Sequence, residues 1–243
     1  MYKKFKLFVI INISVLFFYV NVNAAEISNT CKYTSHSGYN TVYLDIYDDE
    51  GNFLGKEERG IVHEKGLWHK TVHCWLYTKD GYVFFQRRAD SHTLYTTASG
   101  HLRAGETINE GFHREIKEEI GCSIDTSDAK FIKMEPYKMD KIKNGKPFKD
   151  RAFANVYMDL YEGNFKDFNF DQEEVLELAL VPLKETLAMF KKNEGFVLGK
   201  IVTPDHQIIG KEISLDEFLV NAGETYYGKY GYVLEAILKE LNL

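Results

Sequence analysis

Between Gly100 and Cys122 the chain reads Gly-His-Leu-Arg-Ala-Gly-Glu and then, from Arg114, Arg-Glu-Ile-Lys-Glu-Glu-Ile-Gly-Cys. Successive residues of an α-helix turn by about 100°, so Glu115, Glu118 and Glu119 share roughly 100° of arc, with Ile116 and Ile120 beside it. Such a helix can bury its isoleucines while aiming three carboxylates at one region. Neighbouring carboxylates repel, raise one another's pKa and weaken the helix that carries them. A hard divalent cation removes that penalty. Mg²⁺ or Mn²⁺ takes oxygen ligands, and phosphate oxygens can complete its shell. The same residues also fit a solvated acidic face, partly neutralised by Arg114 and Lys117, and residue type alone leaves both readings open.

The elements that must position these groups are legible around them. Thr107 to Ile120 reads as a helix, with a Thr107–Glu110 capping box at its start and Gly121 where it should stop. Thr41 to Tyr47 alternates, with Val42, Leu44 and Ile46 on one side, as a strand does. Asp48 to Asn52 is a turn. Thr71–Thr78 and Tyr82–Gln86 flank Lys79-Asp80-Gly81, a hairpin signal. Phe131–Met139 and Arg151–Leu160 are two further strands, joined by a lysine-rich loop with Asn144-Gly145. Pro182 is expected to open a helix as its first residue, with Leu183, Leu187 and Phe190 on one face. Ser214 and Glu217 cap a short helix. Tyr230, Val233, Leu234, Ile237, Leu238 and Leu241 form a packing stripe at helical spacing. No repeat or Pro/Gly/Ser linker interrupts this order, so one mixed α/β sandwich domain is the economical reading.

The 243 residues are 44% hydrophobic and 27% charged, ordinary for a globular protein. Those fractions exclude a disordered tail, a collagen-like repeat and a polytopic membrane protein. Thirty basic against 36 acidic residues gives a net charge of −6, which argues against non-specific nucleic-acid binding. An anionic small substrate stays open, because a metal reverses the charge at one site. Lys3, Lys4 and Lys6 precede an uncharged run from Leu7 to Val20, and Val22-Asn23-Ala24 follows. This is the layout of a signal peptide over residues 1–24, the run being short of the roughly 20 residues a span needs. The expectation is a secreted or periplasmic protein with no stable membrane association after processing. The alternative is an anchor formed by an uncleaved N-terminus. Residues 25–40 read as a loose arm and 41–243 as the domain. Of Cys31, Cys74 and Cys122, Cys74 sits in an alternating run and reads as a core residue. With no Cys-x-x-Cys pair, a zinc–thiolate site is not expected.

Gly100, five residues, Glu106, seven residues, Arg114-Glu115-Ile116, one residue, Glu118-Glu119, one residue and Gly121 resembles the Nudix box. The departure is Cys122, where an aliphatic residue is usual. The resemblance implies an α/β/α sandwich with a mixed sheet, a loop–helix–loop around the box, and hydrolysis of a diphosphate-containing small molecule with Mg²⁺ or Mn²⁺. It assigns Glu115, Glu118 and Glu119 to the metal, with the Gly100 carbonyl as a further ligand. Arg114 joins the catalytic group by holding the carboxylates, and Glu106 braces the loop. The resemblance leaves the base as one of the box glutamates, or else Glu173 or Glu174 in a later loop; Glu118, Glu119 and Glu174 are counted with the catalytic group.

His63-Glu64-Lys65-Gly66-Leu67-Trp68-His69-Lys70, Val72-His73-Cys74-Trp75-Leu76-Tyr77 and Gln86-Arg87-Arg88 resemble a narrower branch, from about Leu44 to Leu160. That branch holds isopentenyl-diphosphate isomerase and its hydrolase-like relatives. The isomerases use three histidines and two glutamates around a metal, and a cysteine with a glutamate for proton transfer. His63, His69 and His101 match the histidines. Ser99 stands at the cysteine and Ala152, beside Asp150, at the second glutamate. A serine hydroxyl is a far poorer acid and base than a thiol, and alanine moves no proton. With the box intact, both departures favour hydrolysis. The histidines can hold a second metal, orient Tyr95, bond the loop or touch a phosphate. Either Arg87 or Arg88 can grip phosphate with its fork of donors, or both are surface charges. The expected function is metal-dependent hydrolysis of a nucleoside diphosphate derivative or an isoprenyl diphosphate. The alternatives are an isomerase-like enzyme and a catalytically silent Nudix-fold binding module.

Overall fold

Strand β3 (Trp68–Tyr77) organises the molecule, because its alternating side chains feed two separate cores. In the computed structural model, residues 41–243 are described apart from 125, 126, 128 and 144. The expected signal segment, the arm, Cys31 and Asn144 lie outside the described residues. From one face of β3, Val72, Cys74 and Leu76 pack with Phe112, Ile116 and Ile120 of helix α2 (Ile108–Ile120). From the other, Trp75 and Tyr77 join Leu187 and Phe190 of α3 (Leu183–Lys192) and Tyr230, Val233, Leu234 and Ile237 of α4 (Tyr226–Glu240). Each fully buried large apolar side chain contributes about 1.5–3 kcal/mol. The result is the expected α/β/α sandwich.

The sheet is mixed. Its main path runs β11 (Ile208–Ser214), β10 (Phe196–Val202), β9 (Val175–Pro182), β4 (Tyr82–Arg88), β3, β1 (Tyr43–Tyr47), β2 (Phe53–Glu58). Off that path, β5 (Leu94–Tyr95) pairs with β4, and β6 (Ala98–His101) pairs antiparallel with β3. β8 (Lys146–Leu160) runs parallel to β3 and antiparallel to β7 (Lys130–Lys143). Helix α1 (Arg59–Lys65) leads from β2 towards β3. Among the described residues no helix is long and apolar enough to cross a membrane.

Several boundaries differ from the sequence reading. The lysine-rich loop between Met139 and Arg151 is mostly strand: β7 and β8 extend into a long hairpin whose register runs to Lys143 and Lys146. Its outer half is exposed, so cross-strand hydrogen bonds hold it with no apolar alternation to reveal it. Pro182 ends β9 and precedes α3, because its φ of −69° and ψ of 126° are extended. The Ser214–Glu217 box closes a single 3₁₀ turn, Leu215–Glu217. The α2 capping box forms as expected, Glu110 accepting from Thr107 N–H at 2.8 Å and Thr107 from Glu110 N–H at 3.3 Å.

Candidate active site

Strand β6 separates two clusters of ionisable groups and touches both. Thr71 pairs with His101, Val72 with Gly100 and His73 with Ser99. Alternate residues of a strand face opposite ways. Gly100 therefore points at α2, where a Cβ would lie 2.0 Å from the Glu115 carboxyl carbon. The glycine is required there by space alone. Ser99 N–H donates to Glu119 Oε2 at 2.8 Å, and the Gln86 amide donates to the same oxygen at 3.3 Å.

On the α2 side, Arg114 is the organiser. It donates to both oxygens of Glu106 (2.7 and 2.8 Å), to Glu115 (2.5 Å), to Glu118 (3.0 Å) and to the His101 carbonyl (2.9 Å). Burial opposes its charge, but the Glu106 and Glu115 carboxylates outweigh that and raise its pKa. Glu106 also accepts from Arg103 N–H at 2.8 Å, which braces the loop. Arg114 is thus fully occupied and acts by positioning. Burial pushes Glu115 up to about 7, against the pull of Arg114 and helped by the Glu118 and Glu174 charges. Burial also raises Glu119 well above the carboxylate range, as do the charges of Glu115 and Glu174. Glu118 is more exposed and is drawn off by Arg103 (3.1 Å) and Arg114. Glu174 stands at the solvent edge, its pKa raised by desolvation and by Asp171. Its charge reaches Glu115 and Glu119, and Glu173 beside it is exposed. Buried carboxylates that raise one another's pKa, with one shared guanidinium, have the chemistry of a hard-cation site.

On the other side, His63, His69, His101 and Asp150 bring four ligand atoms within 4.8 Å of one another. Among the described residues no set of three box carboxylate oxygens converges that closely, because Glu118 is pulled aside. His63 Nδ1 donates to the Arg59 carbonyl (2.8 Å) and His69 Nδ1 to the Leu67 carbonyl (3.1 Å). Those bonds fix the tautomers and leave each Nε2 with a lone pair. His63 Nε2 lies 3.1 Å from His101 Nε2, and His69 Nε2 lies 3.3 Å from Asp150 Oδ1. His69 Nε2 and Asp150 Oδ1 are buried without a hydrogen-bond partner. They form an ion pair only if His69 carries a second proton; otherwise two lone pairs face each other. Burial lowers the pKa of His63 and, more strongly, His101, with Arg59 adding to both. Burial would raise Asp150, but His69, His63 and the Tyr137 hydroxyl, 3.0 Å from Oδ2, hold it low. Three imidazole nitrogens and one carboxylate oxygen suit a borderline cation such as Zn²⁺ or Mn²⁺. Ligands about 2.0–2.1 Å from a tetrahedral Zn²⁺ stand about 3.3 Å apart, close to the two shorter separations here. The Arg59 and Leu67 carbonyls orient the two rings as a metal-binding histidine needs.

Of the two strand-end arginines, only Arg88 faces the site. It grips Asp90 with two bonds (2.9 and 3.1 Å), and its charge reaches Glu119. Arg87 bonds Glu177 (2.5 Å), Glu217 (2.6 Å) and the His92 carbonyl (2.9 Å), which ties β4 to β9 and to the 3₁₀ turn after β11. Adjacent residues of a strand face opposite ways, which sends the two arginines apart. Asp150 and Arg59 are the site residues that sequence reasoning did not assign; the signal for Asp150 was its place beside Ala152.

The sandwich carries a carboxylate-bearing helix clamped by one arginine under a short strand, the arrangement a Nudix-type domain would need. The chain belongs to the Nudix family: the NUDIX domain matches residues 67–198. It is 32% identical over 214 residues to an uncharacterized Nudix hydrolase of Clostridium acetobutylicum, covering 82% of this chain and 98% of that one. Nudix hydrolase 3 of Arabidopsis thaliana is 27% identical over 63% of this chain, which spans 21% of that longer protein. Isopentenyl-diphosphate Delta-isomerase of Serratia proteamaculans is 27% identical over 49% of this chain and 66% of its own length. A crystal structure from Deinococcus radiodurans aligns with a TM-score of 0.46 at 18% identity, over 63% of this chain and 90% of that one. The protein is a Nudix hydrolase, of a family that acts on diphosphate-containing substrates.

Proposed function

We propose that this hydrolase cleaves a phosphoanhydride bond of a small diphosphate, a nucleoside diphosphate derivative or an isoprenyl diphosphate, with Mg²⁺ or Mn²⁺ held by Glu115, Glu118 and Glu119. The observation that supports it most is the buried Glu115–Glu119 pair, with raised pKa values and one shared arginine. A divalent cation bound there supplies charge neutralisation at the phosphoryl oxygens and the leaving group. Ser99 N–H and Gln86 hold Glu119 in place, while Arg114 fixes Glu115 and Glu118. Glu174, raised in pKa at the solvent edge, takes the proton of the attacking water. The new bond joins water oxygen to phosphorus, and the bridging oxygen leaves with its electron pair. Ala152 is fully buried with no proton to give, which supports hydrolysis over isomerisation.

His63, His69, His101 and Asp150 hold a second divalent cation in this reading, supported by the two unpartnered buried atoms. Residues 1–24 direct export, and mass spectrometry of the native protein should find Ala25 or Glu26 first; an intact Met1 in the cytosol would exclude that. The function is tested by phosphate release from nucleoside diphosphate derivatives and isoprenyl diphosphates, with Mg²⁺ and then Mn²⁺. Silence across all of them would leave a binding module. Dimethylallyl diphosphate formed from isopentenyl diphosphate would make the protein an isomerase.

A further inference from the structure

The outer half of the β7–β8 hairpin, residues 138–149, carries Lys138, Lys141, Lys143, Lys146 and Lys149 against one acid, Asp140. Asp140 is taken by Arg151 at 2.6 Å. In a chain of net charge −6 this is a local excess of positive charge. Lysines on a solvated hairpin need no ligand, so position decides the matter. Phe148 stacks on the His63 ring at 4.4 Å and 16°. The Lys141 and Lys143 ammonium groups lie 5.2 and 5.5 Å from the centre of that same Phe148 ring. Lys143 also acts on Asp90, the partner of Arg88 beside Glu119. On the near side stands Arg59, whose carbonyl accepts from His63 Nδ1 at 2.8 Å. Its guanidinium is exposed and its charge bears on His63, His101 and Glu174. Among the described residues no ion pair within 4.0 Å is made by Arg59, Lys141 or Lys143, whereas Arg87, Arg88, Arg103, Arg114 and Arg151 each have one.

We propose that Arg59, Lys141 and Lys143 form a cationic rim that holds the non-reacting phosphate of the substrate, while the carboxylate side of β6 receives the reacting one. The rim selects substrates with an anionic group on both sides of the scissile bond, and a phosphate monoester lacks the second handle. A planar guanidinium matches phosphate oxygens with paired donors, and two lysines add point charges. The inference rests on the hydrolase reading, and its test measures binding without turnover.

The probe is methylenediphosphonate, a non-hydrolysable diphosphate, titrated into the full chain in excess Mg²⁺. The triple variant Arg59→Gln/Lys141→Gln/Lys143→Gln should bind roughly tenfold or more weakly and show a flatter dependence on salt. Arg59→Lys alone keeps the charge and loses the paired donors, so its affinity should fall between those of wild type and the triple variant. A control triple, Lys79→Gln/Lys184→Gln/Lys192→Gln, changes net charge equally on exposed positions elsewhere and should bind as wild type does. Circular dichroism establishes that both triples fold. Unchanged binding by the rim variant, equal loss in the control, or no binding by the wild type would each overturn the rim. Probe binding through the rim by a wild type that hydrolyses nothing would support the rim and overturn the hydrolase reading. Hydrolysis with rim-independent binding would do the reverse.

Discussion

Glu115 and Glu119 differ from Glu118 in what surrounds them, and that difference sets what each substitution should do. Glu119→Gln keeps the shape that Ser99 and Gln86 hold but removes one negative charge from the cation site. Turnover should fall on the order of 10²-fold or more, as for loss of a strong electrostatic contact in a dry site. Lys117→Gln, exposed on α2, should leave turnover nearly unchanged. Equal rates for wild type and Glu119→Gln would remove this carboxylate from the chemistry. Glu115 gives a pH prediction for the metal-free protein. Its pKa rises from 4.5 to about 7 on folding, so the protonated form is favoured in the fold. The stability it contributes is fully present below pH 4.5 and lost as pH rises through about 7, on the order of 3 kcal/mol in all. The depressed histidines His63 and His101 act oppositely, losing stability as pH falls. Comparison with Glu115→Gln isolates the carboxylate: in EDTA the variant's advantage in melting temperature should grow from pH 4.5 to pH 8. Mg²⁺ should narrow it. An advantage that shrinks over that range would contradict the assignment.

At the scale of elements, α2 was the easiest part to read and the β7–β8 hairpin the hardest, for physical reasons. The cap at Thr107, the carboxylate arc and the stop at Gly121 are all contiguous, and each depends on neighbours within one or two turns. At Gly121 the φ of +73° and a backbone neighbour, Asn169, leave no room for a side chain. The hairpin depends on register across strands and leaves its outer half in solvent, so beyond the Asn144-Gly145 pair the sequence shows no apolar alternation there. Arg87 and Arg88 looked equivalent because alternation sends them to opposite faces, and only the packing of β4 decides which face meets the carboxylates. His63, His69 and His101 were legible through family resemblance. Their convergence on Asp150 was not, since it closes across α1, β3, β6 and β8. Packing also overrules propensity within α2. Gly111→Ala should gain about 1 kcal/mol as a helix residue. Its Cβ would lie 2.2 Å from Leu102 Cδ2, however, and forced overpacking costs typically 1–3 kcal/mol. Urea denaturation should therefore show net destabilisation, and a stabilised variant would mean that Leu102 yields freely.

Across the whole molecule, β6 lies between two proposed cation sites of different hardness. Gly100 yields space to Glu115 on one side, and the His101 ring enters the histidine cluster on the other. Arg114 grips the His101 carbonyl while clamping Glu115 and Glu118, so the strand and the helix are held as one unit. The all-oxygen side suits Mg²⁺, which keeps much of its water and exchanges readily; the nitrogen-rich side suits Zn²⁺ or Mn²⁺ and should hold it more tightly. Protein loaded with Zn²⁺ and then dialysed free of Mg²⁺ should retain about one equivalent of transition metal, measured by elemental analysis. His69→Gln removes a fully buried donor and should lose that equivalent. Glu119→Gln should keep it while losing the Mg²⁺ dependence of turnover. Since Arg114 couples the two sides through a main-chain carbonyl, losing the histidine-site metal should lower turnover less than losing Glu119. Retention of the metal by His69→Gln, or no metal in the wild type, would show that the unpartnered atoms of His69 and Asp150 are satisfied by a proton instead.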